Sequence, residues 1–145
     1  MSRSPPPIDV ADHEVLYSAD AIARRVSELA ASIASDYAEK SPAFLITMTG
    51  AFVFASDLLR AMHPNTPRGA TIDAIKAKSY VGTTSSERVT LSDGAASAVD
   101  VRGRHVVVIE DIVDTGVTLR ELRAAMDARG AASVTCVALL NKRAR

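Results

Sequence analysis

Apolar residues recur along this chain in two rhythms. Ile22, Val26, Leu29, Ile33 and Tyr37 fall at helical spacing. Ser18 stands where an N-cap belongs, Asp20 lies in the first turn, and Pro42 follows, so a helix is expected to end near residues 39–40. Residues 43–48, AFLITM, read as a buried strand. Thr49-Gly50 reads as a tight turn, and a second helix is expected over residues 51–61, stopping before Pro64. Residues 64–69 read as a loop and 71–78 as a strand marked by Ile72 and Ile75. Residues 79–87 are small and polar, rich in Ser, Thr and Gly, and read as a mobile loop. Residues 89–91 and 98–101 suggest a short hairpin around Asp93-Gly94. A strand opens at His105. A third helix spans about 117–129, with Leu119, Leu122 and Met126 inward and Gly130 as its stop, and residues 133–140 form the last strand.

Strands alternating with helices predict an α/β fold, a mainly parallel twisted sheet flanked by helices. A sheet covered on both faces explains why its strands are apolar runs instead of alternating ones. Residues 1–12 are Pro-rich and read as disordered or extended, leaving residues 13–145 as one core domain.

Composition narrows the picture by exclusion. The formal net charge is zero, with 48% hydrophobic and 23% charged residues among 145. No basic excess calls for nucleic acid or an anionic membrane, and Lys142, Arg143 and Arg145 are too few for such a footprint. No apolar run approaches the ~18 residues that cross a bilayer, and no secretory leader is visible. The single cysteine, Cys136, cannot form an internal disulfide and is expected as a buried, inert thiol. A reducing, cytoplasmic setting is the expectation. His13, His63 and His105 show no ligand spacing and are expected at the surface or strand edges. Phe44, Phe52 and Phe54 are expected in the core or a subunit contact.

The most informative run is His105 to Leu119, HVVVIEDIVDTGVTL. Four branched aliphatic residues lead to Glu110 and Asp111. Asp114 follows, and then Thr115-Gly116-Val117-Thr118 opens a helix. A strand that ends in carboxylates and turns into a helix is where an open α/β sheet binds its ligand. Adjacent carboxylates in an extended segment face opposite sides. A solvated acidic loop or simple helix caps would also use these residue types. The combination is more specific: backbone N–H groups for a phosphate, and carboxylates for hydroxyls or a divalent metal.

EDIVDTGVTL resembles the phosphoribosyl-pyrophosphate signature of type I phosphoribosyltransferases, in the form used by hypoxanthine-guanine phosphoribosyltransferases. The resemblance extends over about residues 15–145. FLITMTGAFVFASDL, residues 44–58, resembles that family's strand, pyrophosphate loop and following helix. Lys78-Ser79-Tyr80 resembles the start of its lid, and Leu139-Leu140-Asn141-Lys142 its purine-contacting strand end. The resemblance implies the type I phosphoribosyltransferase fold and transfer of a phosphoribosyl group from phosphoribosyl pyrophosphate to hypoxanthine or guanine in purine salvage.

It also implies roles. Glu110 and Asp111 would address the ribose hydroxyls, directly or through Mg²⁺, and are the implied metal ligands. Asp114 would be the general base at purine N7. Thr115, Gly116, Val117 and Thr118 would cradle the 5′-phosphate. Thr49 and Gly50 would meet pyrophosphate in a loop that often carries a non-proline cis peptide, and Arg145 would join them. Lys142 would donate to the 6-oxo group. Ser79 and Tyr80 would begin the lid. A homodimer or homotetramer is implied, with the helix after Gly50 as interface.

The pattern departs from the family in three places. Thr49 stands where lysine or arginine is common, and Met48 replaces leucine. The family continues past the Lys142 strand with a segment that supplies a purine-stacking ring, a backbone contact to the base and a second metal-binding aspartate. A chain that is one piece of a longer protein is therefore expected. The alternative function class is a non-catalytic phosphoribosyl-pyrophosphate-binding regulator or an inactive fragment.

Overall fold

The computed structural model describes residues 14–79, 89–91 and 99–142. Ser18 caps the first helix, α1 (Ala19–Asp36), by accepting a hydrogen bond from the Ala21 amide at 3.2 Å. Tyr37 is its C-cap, so α1 stops short of the expected residues 39–40. Val26, Ala30 and Ile33 are buried, but Ile22, expected on the same stripe, is 37% exposed. The first turns of α1 overhang the sheet, where Ile22 lines an open groove with Tyr17, Leu139 and Leu140.

The first strand, β1 (Ala43–Met48), is central. It pairs in parallel with β2 (Thr71–Ser79) on one side and β4 (His105–Val113) on the other. Its alternating residues divide the core. Phe44 and Ile46 join Val107 and Ile109 beneath α1 and the second helix, α2 (Phe52–Met62). Leu45 joins Ile75, Val106 and Val108 on the opposite face, beneath Leu122 and Met126 of the third helix, α3 (Val117–Ala128). Burial on both faces is what an apolar run in a parallel sheet demands. The last strand, β5 (Ser133–Asn141), runs parallel to β4. Gly130, at φ +84°, follows α3 as expected of a left-handed helix stop.

Among the described residues the strand order is β3-β2-β1-β4-β5, with β3 (Val89–Leu91) antiparallel to β2. The expected hairpin is corrected here. Val89–Leu91 pairs with the end of β2, Ser79 opposite Val89, and among the described residues not with 99–101. Val99 and Val101 are instead buried in the layer under α3. Ser79, expected to begin a loop, is the last residue of β2. The expected lid residue Tyr80 lies outside the described residues.

Cys136 is exposed on β5, not buried. Its thiol is nonetheless pushed up to about 11 by loss of hydration and by the nearby charge of Glu110, which disfavours the reactive thiolate. The phenylalanine stripe divides: Phe44 and Phe54 are core, and Phe52 is 56% exposed beside an exposed Val53. No described helix is long and apolar enough to cross a membrane.

At the amino end of the sheet, Arg104 ties three segments together. Its guanidinium donates to the carbonyls of Ser41, Pro42 and Gly69 at 2.9, 3.0 and 3.1 Å, and to Thr71 Oγ1 at 2.9 Å. His105 Nδ1 lies 2.8 Å from Ser133 Oγ on the neighbouring strand. These contacts join neighbouring segments at the amino end of the sheet.

Candidate active site at the carboxyl end of the sheet

The site is created by unequal strand lengths. Pairing of β1 with β4 ends at Ile46 opposite Ile109, while β4 pairs with β5 as far as Val113 opposite Asn141. The strand was expected to end in the acid pair; it runs on to Val113, paired with β5. Glu110 and Asp111 therefore sit on strand backbone just where the β1 side opens.

Alternation sends the two carboxylates to opposite faces. Glu110 follows Val106 and Val108 toward the α3 side, and Asp111 follows Val107 and Ile109 toward α2. The turn after β1 closes over Asp111. Met48–Thr49 is a cis peptide, and a β-carbon on Gly50 would stand 2.5 Å from Asp111 Oδ2. Only glycine lets this backbone approach the carboxylate so closely. The Ala51 amide donates to the Thr47 carbonyl at 3.3 Å, closing the turn into α2.

Glu110 is half-buried, and its carboxyl is raised above the ordinary 4.5, first by lost hydration and then by the neighbouring Asp111 carboxylate. One amide offsets part of that cost: the Asp111 amide donates to Glu110 Oε1 at 3.1 Å. The Ile112 amide donates to Asp111 Oδ1 at 2.8 Å.

Past β4, Asp114, Thr115 and Gly116 lead into α3. Gly116 takes φ +74° with nothing within 4 Å of an added β-carbon, so its role is conformational. No side chain caps the helix start and no acidic residue occupies the first turn. Val117 donates only a long 3.4 Å bond to Thr115 Oγ1. A helix start left this way, carrying hydroxyls and a partial positive charge, is suited to an anion such as phosphate.

Asp114 and Lys142, far apart in sequence, meet here. Lys142 Nζ lies 3.3 Å from Asp114 Oδ2, and the Lys142 amide donates to the Val113 carbonyl at 2.8 Å. The fold thus gathers Thr49, Gly50, Glu110, Asp111, Asp114, Thr115, Gly116, Val117, Thr118 and Lys142 at one end of the sheet. The end of β2, at Ser79, also lies at this end. Arg145 and Tyr80 lie outside the described residues. A groove of about 610 Å³ between the last turns of α1 and residues 65–68 is at the opposite end of the sheet and contains none of these groups.

One residue at the site carries no signal in the acid motif. Thr47, buried at 5% exposure, donates its hydroxyl to the Ile109 carbonyl at 2.9 Å. A lone hydroxyl within the apolar run FLITM was the clue available in the sequence.

Known proteins resemble this chain in sequence and fold. The family model described as phosphoribosyl transferase domain matches residues 13–145. A hypoxanthine-guanine-xanthine phosphoribosyltransferase of Tritrichomonas foetus is 37% identical over 128 residues, covering 88% of this chain and 67% of that protein. A hypoxanthine-guanine phosphoribosyltransferase of Streptococcus pneumoniae is 35% identical over 129 residues, covering 89% and 69%. Among solved structures, a hypoxanthine phosphoribosyltransferase of Staphylococcus aureus superposes with TM-score 0.78 at 30% identity, covering 89% of this chain and 67% of that one. The acid pair, the third acid, the uncapped helix start and the glycine turn occur on a fold these proteins share, and the chain belongs to the phosphoribosyltransferase family.

Proposed function

We propose that this chain transfers the 5-phosphoribosyl group of phosphoribosyl pyrophosphate to a 6-oxopurine, hypoxanthine or guanine, as a purine-salvage enzyme. The observation that carries the base assignment is the pairing of Asp114 with Lys142 at 3.3 Å. N7 and the 6-oxo oxygen lie side by side on one purine edge. A carboxylate and an ammonium side by side suit that edge: Asp114 accepts the N7 proton and Lys142 donates to the oxygen. An adenine amino group would present donors to a donor.

In the reaction, N9 bonds to C1′ as the C1′–O bond to pyrophosphate breaks, and pyrophosphate leaves with the electron pair. Asp114 takes the N7 proton, which makes N9 the better nucleophile; such transfers supply roughly 10²–10⁴-fold. The turn 115–118 holds the 5′-phosphate through amides and hydroxyls. Thr49, Gly50 and Arg145 hold pyrophosphate. Ser79 and Tyr80 begin a lid that excludes water from the reacting sugar.

Glu110 and Asp111 hold the ribose hydroxyls and serve Mg²⁺. Their donor set fits that ion, which takes one or two carboxylates and completes its shell with substrate oxygens and water. A cation beside Glu110 also reverses the penalty that burial and Asp111 place on its charge. When bound, Mg²⁺ neutralises the developing charge of pyrophosphate.

The exposed Phe52 and Val53 at the start of α2 suit an interface between copies in a homodimer or homotetramer. The single cysteine suits a reducing cytoplasm. The decisive assay is formation of nucleoside monophosphate from hypoxanthine or guanine. It should require phosphoribosyl pyrophosphate and fall on removal of Mg²⁺. Binding of the sugar diphosphate without turnover of either base would overturn the enzymatic reading.

A further inference from the structure

The geometry points to Thr47 as a positioning residue: its hydroxyl fixes the fork between β1 and β4, and so sets the pyrophosphate turn against the ribose-binding acids. The inference rests on the proposed phosphoribosyl site and deepens it.

Thr47 is the last buried residue of β1, one position past its final pairing with β4. A hydroxyl taken into an apolar layer costs free energy unless it finds a partner. Valine has nearly the same shape without that cost. The hydroxyl therefore calls for a reason, and its surroundings supply one. It donates across the fork to the Ile109 carbonyl at 2.9 Å, one residue beyond the last paired rung, Ile46 with Ile109. Ile109 is followed immediately by Glu110. The Thr47 carbonyl accepts from the Ala51 amide and so closes the turn containing Thr49 and Gly50.

One residue thus holds both arms of the fork. Its side chain grips the β4 arm just before the acid pair, and its backbone grips the turn whose Gly50 lies against Asp111. A small change of angle at Thr47 would move the pyrophosphate turn relative to both acids. It would leave Asp114 and Lys142, held on the far side by β4 and β5, where they are.

That asymmetry gives the test. Thr47→Val and Thr47→Ser are compared with the wild-type chain in binding of phosphoribosyl pyrophosphate with Mg²⁺, by calorimetry, and in KM for each substrate. Thr47→Val is expected to weaken sugar-diphosphate binding about five- to tenfold, the worth of one misdirected hydrogen bond. KM for hypoxanthine should stay within about twofold, since the Asp114–Lys142 pair is untouched. Thr47→Ser, which keeps the hydroxyl, should recover most of the loss. If Thr47→Val binds the sugar diphosphate like wild type, or loses both substrates equally, the positioning role is overturned while the functional reading stands. If the wild-type chain binds no phosphoribosyl pyrophosphate, the functional reading falls and takes this inference with it.

Discussion

Lys142 Nζ stands 3.3 Å from Asp114 Oδ2, although both side chains are more than half exposed and the residues belong to different strand ends. An exposed pair of this kind contributes at most about 1 kcal/mol to stability. Its value lies in where it puts a donor beside an acceptor. Lys142→Ala should therefore shift the melting temperature by only a few degrees. It should raise KM for hypoxanthine about 10- to 100-fold, the worth of a hydrogen bond from a charged group. Steady-state kinetics beside a thermal melt separates the two effects.

Asp114→Asn tests the other partner. It should lower kcat roughly 10²–10⁴-fold, as loss of a general base does. Binding of phosphoribosyl pyrophosphate should change little. Equal losses in turnover and in sugar-diphosphate binding would contradict the proton-accepting role.

Gly50→Ala and Gly116→Ala change glycines for different reasons. At Gly50 the new β-carbon meets Asp111 Oδ2 at 2.5 Å, so the turn or the carboxylate must move. At Gly116 it meets nothing, and the penalty is the φ of +74°, of the order of 1 kcal/mol. Gly50→Ala should weaken pyrophosphate binding at least tenfold, because a displaced Asp111 or turn disturbs both ligand contacts. Gly116→Ala should mainly lower the melting temperature. Calorimetric titration with pyrophosphate distinguishes them.

Arg104→Lys removes a planar fork that serves three carbonyls and one hydroxyl at the amino end of the sheet. A lysine cannot reproduce that geometry. The expected cost is about 2 kcal/mol, read as a fall in melting temperature of several degrees. Affinity for the sugar diphosphate should be unchanged in the variant that remains folded, since the site lies at the other end of the strands.

Glu110 gives stability a pH dependence of unusual sign for a carboxylate. Its folded-state value is raised above 4.5, so its charged form costs the folded protein more than the unfolded chain. That cost is present at neutral pH and disappears as pH falls through the raised value toward 4.5. Without Mg²⁺, Glu110→Gln should therefore melt higher than wild type at pH 7.5, and the difference should shrink toward pH 4.5. Thermal melts at half-unit pH steps would show it.

Much of this protein was determined by local sequence alone. Apolar runs at residues 43–46 and 106–109 required strands covered on both faces, because alternation would have left one face wet. Ser18 and Gly130 bounded helices through groups they offer or conformations they permit. The Glu-Asp pair, Asp114 and the Thr-Gly turn marked the site by their chemistry. Tertiary structure decided what depends on partners distant in sequence. The 105–113 strand runs through its acids because β5 continues beside it after β1 has stopped. Val89–Leu91 pairs with β2, while Val99 and Val101 are buried under α3. Asp114 finds Lys142, and Gly50 finds Asp111, only once three parallel strands are laid side by side in register. Residue types announce which chemistry is possible; strand register, a long-range property, decides which of them stand within a hydrogen bond of one another.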